Sequence, residues 1–89
     1  MAYFFGRVSV EDYAKFRKTF DSKEDMRQAA GATKSTVYQS VDDPDEVVVQ
    51  IEFPTADAAT AFSKSEGLRN AMQQAGIKKE PRMVVVNQT

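Results

Sequence analysis

The stretch EVVVQIEFPTADAATAF, Glu46 to Phe62, constrains the fold more than any other part of the chain. Its first half alternates with the period of a strand: Val47, Val49, Ile51 and Phe53 share one face, and Val48, Gln50 and Glu52 share the other. Pro54 and Thr55 then end the strand and cap a helix carrying Ala58, Ala59 and Phe62. One face of this strand is wholly apolar and needs a helical cover. The other is mixed, too sticky for water and too polar for a closed core.

The flanking sequence completes a pattern around that strand. Residues 2–8 read as a first strand, with Tyr3, Phe5 and Arg7 pointing one way and Phe4, Gly6 and Val8 the other. Ser9 with Asp12 three residues on predicts a capping box and a helix beginning near Val10. On that helix Tyr13, Phe16 and Phe20 form the apolar stripe, with Lys15, Arg17 and Lys18 on the wet side. A second helical piece, capped at Ser22 with Asp25 three residues on, carries Met26, Ala29 and Ala30 and stops at Gly31. Thr36 to Val41 is extended, and DDPDE is a turn. Ser65 opens a helix that turns Leu68, Ala71, Met72 and Ala75 inward and closes at Gly76. PRMVVVN is the last strand. The order β-α-β-β-α-β predicts one α+β domain over residues 1–89, ferredoxin-like, with an antiparallel sheet and helices on one side. The uncovered face, with Tyr3, Phe5 and Val48 beside Arg7, Gln50 and Glu52, predicts a homodimer packed sheet to sheet.

Composition narrows the chemistry. The chain has no histidine, cysteine or tryptophan. Thiolate chemistry and the usual zinc and haem ligands are therefore absent, and no metal or cofactor is expected. With 12 basic and 13 acidic residues, neither a nucleic-acid footprint nor a polybasic membrane anchor is expected. The start, MAYFFGRVSVEDY, has no basic n-region and reaches charge too soon for a signal peptide, which predicts a cytoplasmic protein. The acidic turn at Asp42, Asp43, Asp45 and Glu46 lacks calcium-loop spacing. An RNA-recognition reading of the same topology fails on the third strand, which offers Val48, Gln50 and Glu52 where stacking aromatics are needed.

Three residues remain as candidate catalytic groups. Glu52 is either a strand residue paired with a base such as Arg7, or an orienting acceptor or proton acceptor. Tyr13 and Tyr38 either pack with their hydroxyls at a rim or hydrogen-bond a ligand. A pocket between sheet and helices is expected at Tyr13, Phe16, Phe62 and Met72, with Arg7 as a candidate for meeting a ligand oxygen. A ligand site there needs about 300 Å³ or more, which separates it from a filled core.

Over nearly its full length the chain resembles the antibiotic-biosynthesis-monooxygenase-like proteins of the dimeric α+β barrel superfamily. DDPDEVVVQIEFPTADAATAF carries the resemblance best, through Glu52 and Phe53 in QIEF and the Ala-rich helix after them; SKSEGLRNAM resembles the next helical piece. The resemblance implies a homodimer whose facing sheets form a barrel, with a pocket in each subunit. It further implies oxygenation of a small quinol or phenol without metal or flavin, the substrate itself reacting with dioxygen. The sequence departs from the family where many members carry histidine: the best-aligned position here is Phe62, and a second histidine position falls in SEGL around Gly67. A tryptophan frequent in the family is also missing, Phe53 being nearest. The alternative is a ligand-binding or structural homodimer without catalysis.

Overall fold

Strict alternation on the two central strands organises the computed structural model, which describes residues 1–89. The elements are β1 (Ala2–Ser9), α1 (Tyr13–Ser22), α2 (Glu24–Ala29), β2 (Lys34–Gln39), β3 (Glu46–Phe53), α3 (Ala56–Ser63), α4 (Glu66–Gln74) and β4 (Arg82–Asn87). The sheet runs β2-β3-β1-β4, antiparallel throughout. This is the ferredoxin-like β-α-β-β-α-β arrangement, with each helical connection broken into two pieces.

Pairing of Phe4 with Ile51 and Val8 with Val47 puts the apolar faces of β1 and β3 on the same side. Ala2, Phe4, Val8, Val47, Val49, Ile51 and Phe53 are all buried there, joined by Phe16, Ala59 and Phe62 from the helices. Phe62 stands edge-on to Phe4, with ring centroids 5.3 Å apart, and tilted against Phe53 at 5.4 Å. Aromatic pairs in these geometries add to the burial of their area. Thr55 caps α3 by accepting a hydrogen bond from the Ala58 amide, and Ser65 caps α4 by accepting one from Leu68.

The start of the first helix differs from the sequence expectation. Asp12, not Ser9, is its N-cap, accepting from the Ala14 amide, and the helix begins at Tyr13. Ser9 belongs to β1, and Val10 bridges to Ile77 beyond it, so sheet pairing claims the residues read as the first turn. Ser22 is not a cap either: its hydroxyl turns back to donate to the Thr19 carbonyl, and α2 starts at Glu24 without a side-chain cap. On α2 the inward residues are Met26 and Arg27, whereas Ala29 and Ala30 are exposed. The helix ends in a paired closure, Ala32 N–H to Arg27 C=O and Gly31 N–H to Gln28 C=O. That closure needs Gly31 at φ 102°, a conformation glycine adopts without strain. β2 lies two residues earlier than expected, because Ser40 Oγ accepts from the Asp42 and Asp43 amides and draws Ser40 and Val41 into the turn.

Candidate functional site

Three helical pieces, α1, α2 and α4, roof a cavity over the inner face of β1 and β3. Gly6 keeps its floor low, since a Cβ there would meet the Phe4 ring at 3.3 Å. Phe16, Phe62 and Met72 line it as expected, together with Phe20, Met26 and Met83. Its volume is about 70 Å³, well short of the ligand-sized space expected from sequence. The shortfall has a local cause. Met26, Met72, Met83 and Leu68 point into the space, and methionine, unbranched and with three rotatable bonds, fills irregular gaps. The α4 wall is also the least embedded, with no fully buried residue.

The lining includes Thr19, Lys23 and Arg27, but the surface it exposes is almost wholly apolar, so these three contribute mainly carbon atoms, and no carboxylate lines the space. Arg27 is 5% exposed. Its Nε donates to Ser35 Oγ at 3.1 Å and its Nη1 to the Phe20 carbonyl at 2.7 Å. Its guanidinium lies over the Phe20 ring, 3.7 Å from the centroid. The chain's ion pairs are Arg7–Glu46 and Arg17–Asp21, so Arg27 has no carboxylate in contact. Burial pushes its pKa down; Glu24 and Asp21 oppose that shift at longer range, and Arg17 adds to it. A guanidinium stays protonated even so. Leaving a buried charge without an ion pair costs several kcal/mol in general. Here the last carbonyls of α1 and the Phe20 face offset part of that cost.

Arg27 is the residue that reading the sequence missed. Charged helix positions default to solvent, and the chain break near Lys23 hides the phase. Yet Phe16, Phe20, Lys23 and Arg27 fall at successive helical spacings, so extending the apolar stripe of α1 through the break reaches both cations on the cavity wall.

The three candidate catalytic residues do not converge. Tyr13 opens α1, half-buried against the core, its ring 6.4 Å from that of Phe16, and it does not line the cavity. Tyr38 and Glu52 lie on the opposite face of the sheet. Tyr38 donates to Gln50 Oε1 at 2.9 Å. Glu52 accepts from Tyr3 at 3.2 Å and from Thr33 Oγ1 at 2.8 Å. Partial desolvation, then the Glu52 hydrogen bond and charge, raise the pKa of the Tyr3 phenol.

Arg7 needs a correction on two counts. Strand parity puts it on the open face, across the sheet from the cavity, so it cannot line that pocket. Nor does it pair with Glu52. Register sets Glu52 opposite Tyr3 and brings Arg7 within 2.7 Å of Glu46 instead. The Arg7 and Ser9 hydrogen bonds hold Glu46 below the usual carboxylate range, against a smaller opposing effect of desolvation. A depressed carboxylate pKa stabilises the fold above the unfolded-state value, and that contribution disappears as pH falls through the folded-state value. Glu46→Gln is therefore expected to narrow the difference in urea midpoint between neutral pH and the acid side of about pH 4, where free glutamate titrates. An unchanged difference would show that this pair does not couple to folding.

No group of three or more metal-ligating side chains occurs, and no helix is long and apolar enough to cross a membrane. Comparison with known proteins places this geometry. The antibiotic biosynthesis monooxygenase family model matches residues 3–74. No functionally curated protein matches the sequence. Among solved structures, a Bordetella bronchiseptica protein assigned by resemblance as an antibiotic biosynthesis monooxygenase superposes with TM-score 0.84 at 13% identity, covering 99% of this chain and 96% of its own. A conserved Methanosarcina mazei protein gives 0.78 at 14%, with coverages of 99% and 92%. SnoaB, a cofactor-independent oxygenase from Streptomyces nogalater, gives 0.74 at 17%, with 99% and 94%. At these identities the structures speak for the fold alone, while the family match spans β1 through α4. The chain belongs to the antibiotic biosynthesis monooxygenase family.

Proposed function

We propose that the protein is a cofactor-independent oxygenase that takes a small, electron-rich phenol or quinol into the chamber between sheet and helices. The observation that carries this reading is the family match over residues 3–74, to which the structure adds a small apolar space between sheet and helices lined by aromatic rings and methionines. SnoaB, a structural neighbour, is a cofactor-independent oxygenase.

The chemistry can balance without a second reductant. A hydroquinone loses a proton to solvent, and its anion passes one electron to dioxygen. The semiquinone and superoxide recombine to form a carbon–oxygen bond. Breaking the oxygen–oxygen bond releases one oxygen as water and leaves the other on the ring, so hydroquinone plus dioxygen gives hydroxyquinone plus water. All four electrons come from the substrate. The protein's part is to hold the anion, exclude water and keep the two radicals together.

In this reading Phe16, Phe62 and Met72 contact the ring, and Tyr13 supports Phe16 from the next layer. Tyr38 and Glu52 serve a homodimer interface on the open sheet face rather than the reaction. A second reading, a ligand-binding or structural dimer without catalysis, is favoured by the small volume and the absence of a proton acceptor from the lining. Oxygen uptake separates the two. With 1,4-naphthohydroquinone, and with chelator present and no flavin, uptake should exceed autoxidation by at least tenfold and yield the hydroxylated quinone. Uptake at the autoxidation rate across a series of phenols and quinols removes the oxygenase reading.

A further inference from the structure

We infer that the open sheet face is self-complementary in charge, and that a second copy docks on it with its strands reversed, so that Arg7 and Arg82 of each subunit meet the partner's Glu52. This rests on the homodimer at the open face and specifies how the two copies are turned. Cross-strand register divides that face into three rows. At one end Arg7 stands directly opposite Arg82. In the middle Phe5 lies between Val84 and Gln50, and at the far end Tyr3 lies between Val86 and Glu52. The first row is basic, the second is largely apolar, and the third carries a carboxylate.

Neither charged row is balanced within one chain. Like charges facing each other across two strands are destabilising, and Glu46 relieves only half of the arginine pair. One Glu46 oxygen is taken by Arg7 at 2.7 Å and the other by Ser9 at 2.9 Å, while the exposed Arg82 has no ion pair. These groups border a cleft of about 350 Å³ with no apolar residue in its lining, where Lys79 adds a third cation and Glu80 a second carboxylate. At the other end, Glu52 is half-buried and accepts from Tyr3 and Thr33, which leaves about two of a carboxylate's four acceptor sites free. Lys34 stands beside it in register on β2 yet makes no ion pair with it. The apolar row decides where a two-fold axis passes, since burying Phe5 and Val84 requires that they lie near it. Charge then decides its direction. An axis along the strands keeps like ends together and sets arginine row against arginine row. An axis across the strands reverses the ends, and lays each arginine row over the partner's Tyr3 and Glu52. Contacts of this kind fix register and exclude wrong arrangements more than they add affinity.

The test is a charge swap between chains. In low salt, Arg7→Glu and Glu52→Lys should each weaken the dimer at least about tenfold by sedimentation equilibrium, because each sets like charges together twice across the two-fold. Mixed in equal amounts, the two variants should pair with each other. In the mixed dimer one contact is Glu against Lys and the other is the native Arg7 against Glu52. That species should form at least about tenfold more tightly than either variant alone, and native mass spectrometry separates it from the two homodimers. A purely local role for either residue would not produce rescue by a second chain. Should Arg7→Glu not fold, Arg82→Glu on the edge strand takes its place with the same expectation. Variants that dimerise as tightly as wild type, or a mixture with no preference for the mixed dimer, would each overturn the inference. A dimer indifferent to these charges but broken by Val84→Lys keeps the open-face interface and removes this arrangement of it. A wild-type chain that stays monomeric removes both, so the two failures are distinguishable.

Discussion

Phe62→Ala is expected to lower the melting temperature by roughly 12–40 °C, from about 3–5 kcal/mol for a buried Phe→Ala change and about 4–8 °C per kcal/mol in a domain of this size. Phe62 is 2% exposed and joins the ring of Phe4 on β1 to that of Phe53 on β3. Removing it opens space in the middle of the only core the chain has. Total stability for a domain of this length is on the order of 5–13 kcal/mol, so the loss takes a large share of it. The neighbours have little freedom to close the gap, since Phe4, Ile51 and Phe53 are fixed by sheet pairing. Thermal unfolding followed by far-ultraviolet circular dichroism, at one protein concentration, measures the effect. A shift under about 5 °C would mean that the site collapses onto the deletion, contrary to this packing.

At micromolar concentration, sedimentation should give twice the 9.9 kDa chain mass, and Val84→Lys should return the protein to monomer. The motive lies on the open face. Phe5 pairs with Val84 and Tyr3 with Val86 across β1 and β4, and Val48 on β3 lies on the same side. Val84 is 54% exposed in the single chain, so a lysine there disturbs no core. A face-to-face partner would bury these side chains and give new neighbours to Tyr38 and Glu52. Sheet-to-sheet packing of this kind turns a half-apolar face into the interior of a barrel. A wild-type chain that sediments as a monomer would sink the interface, and the reason offered for those aromatics with it. A Val84→Lys protein that remains dimeric would move the interface elsewhere.

What could be read in advance divides by the range of the interactions involved. Val47, Val49, Ile51 and Phe53 declared their face through period alone, because a strand between two neighbours is governed by local alternation. Thr55 and Ser65 were legible as caps because a cap is a contact over two or three residues. Ser9 was misread because its fate depends on Glu46, far along the chain, whose carboxylate accepts its hydroxyl. Arg7 was misassigned for the same reason: its charge was visible, but which acidic residue it meets is set by register. The cavity wall was partly legible, in Phe16, Phe62 and Met72. Its charged member was not, since nothing local marks a buried arginine except its place in a stripe that crosses a helix break.

The three methionines on the chamber wall carry a cost that their flexibility conceals. If dioxygen is reduced there, superoxide and peroxide arise within reach of thioethers that are among the side chains most readily oxidised. A sulfoxide is polar and chiral, and it no longer suits an apolar wall. Each catalytic event would then run a small risk of spoiling the surface that admits the next molecule. The working life of such a protein would be counted in turnovers rather than in hours, and sulfoxide reductases would be its means of repair.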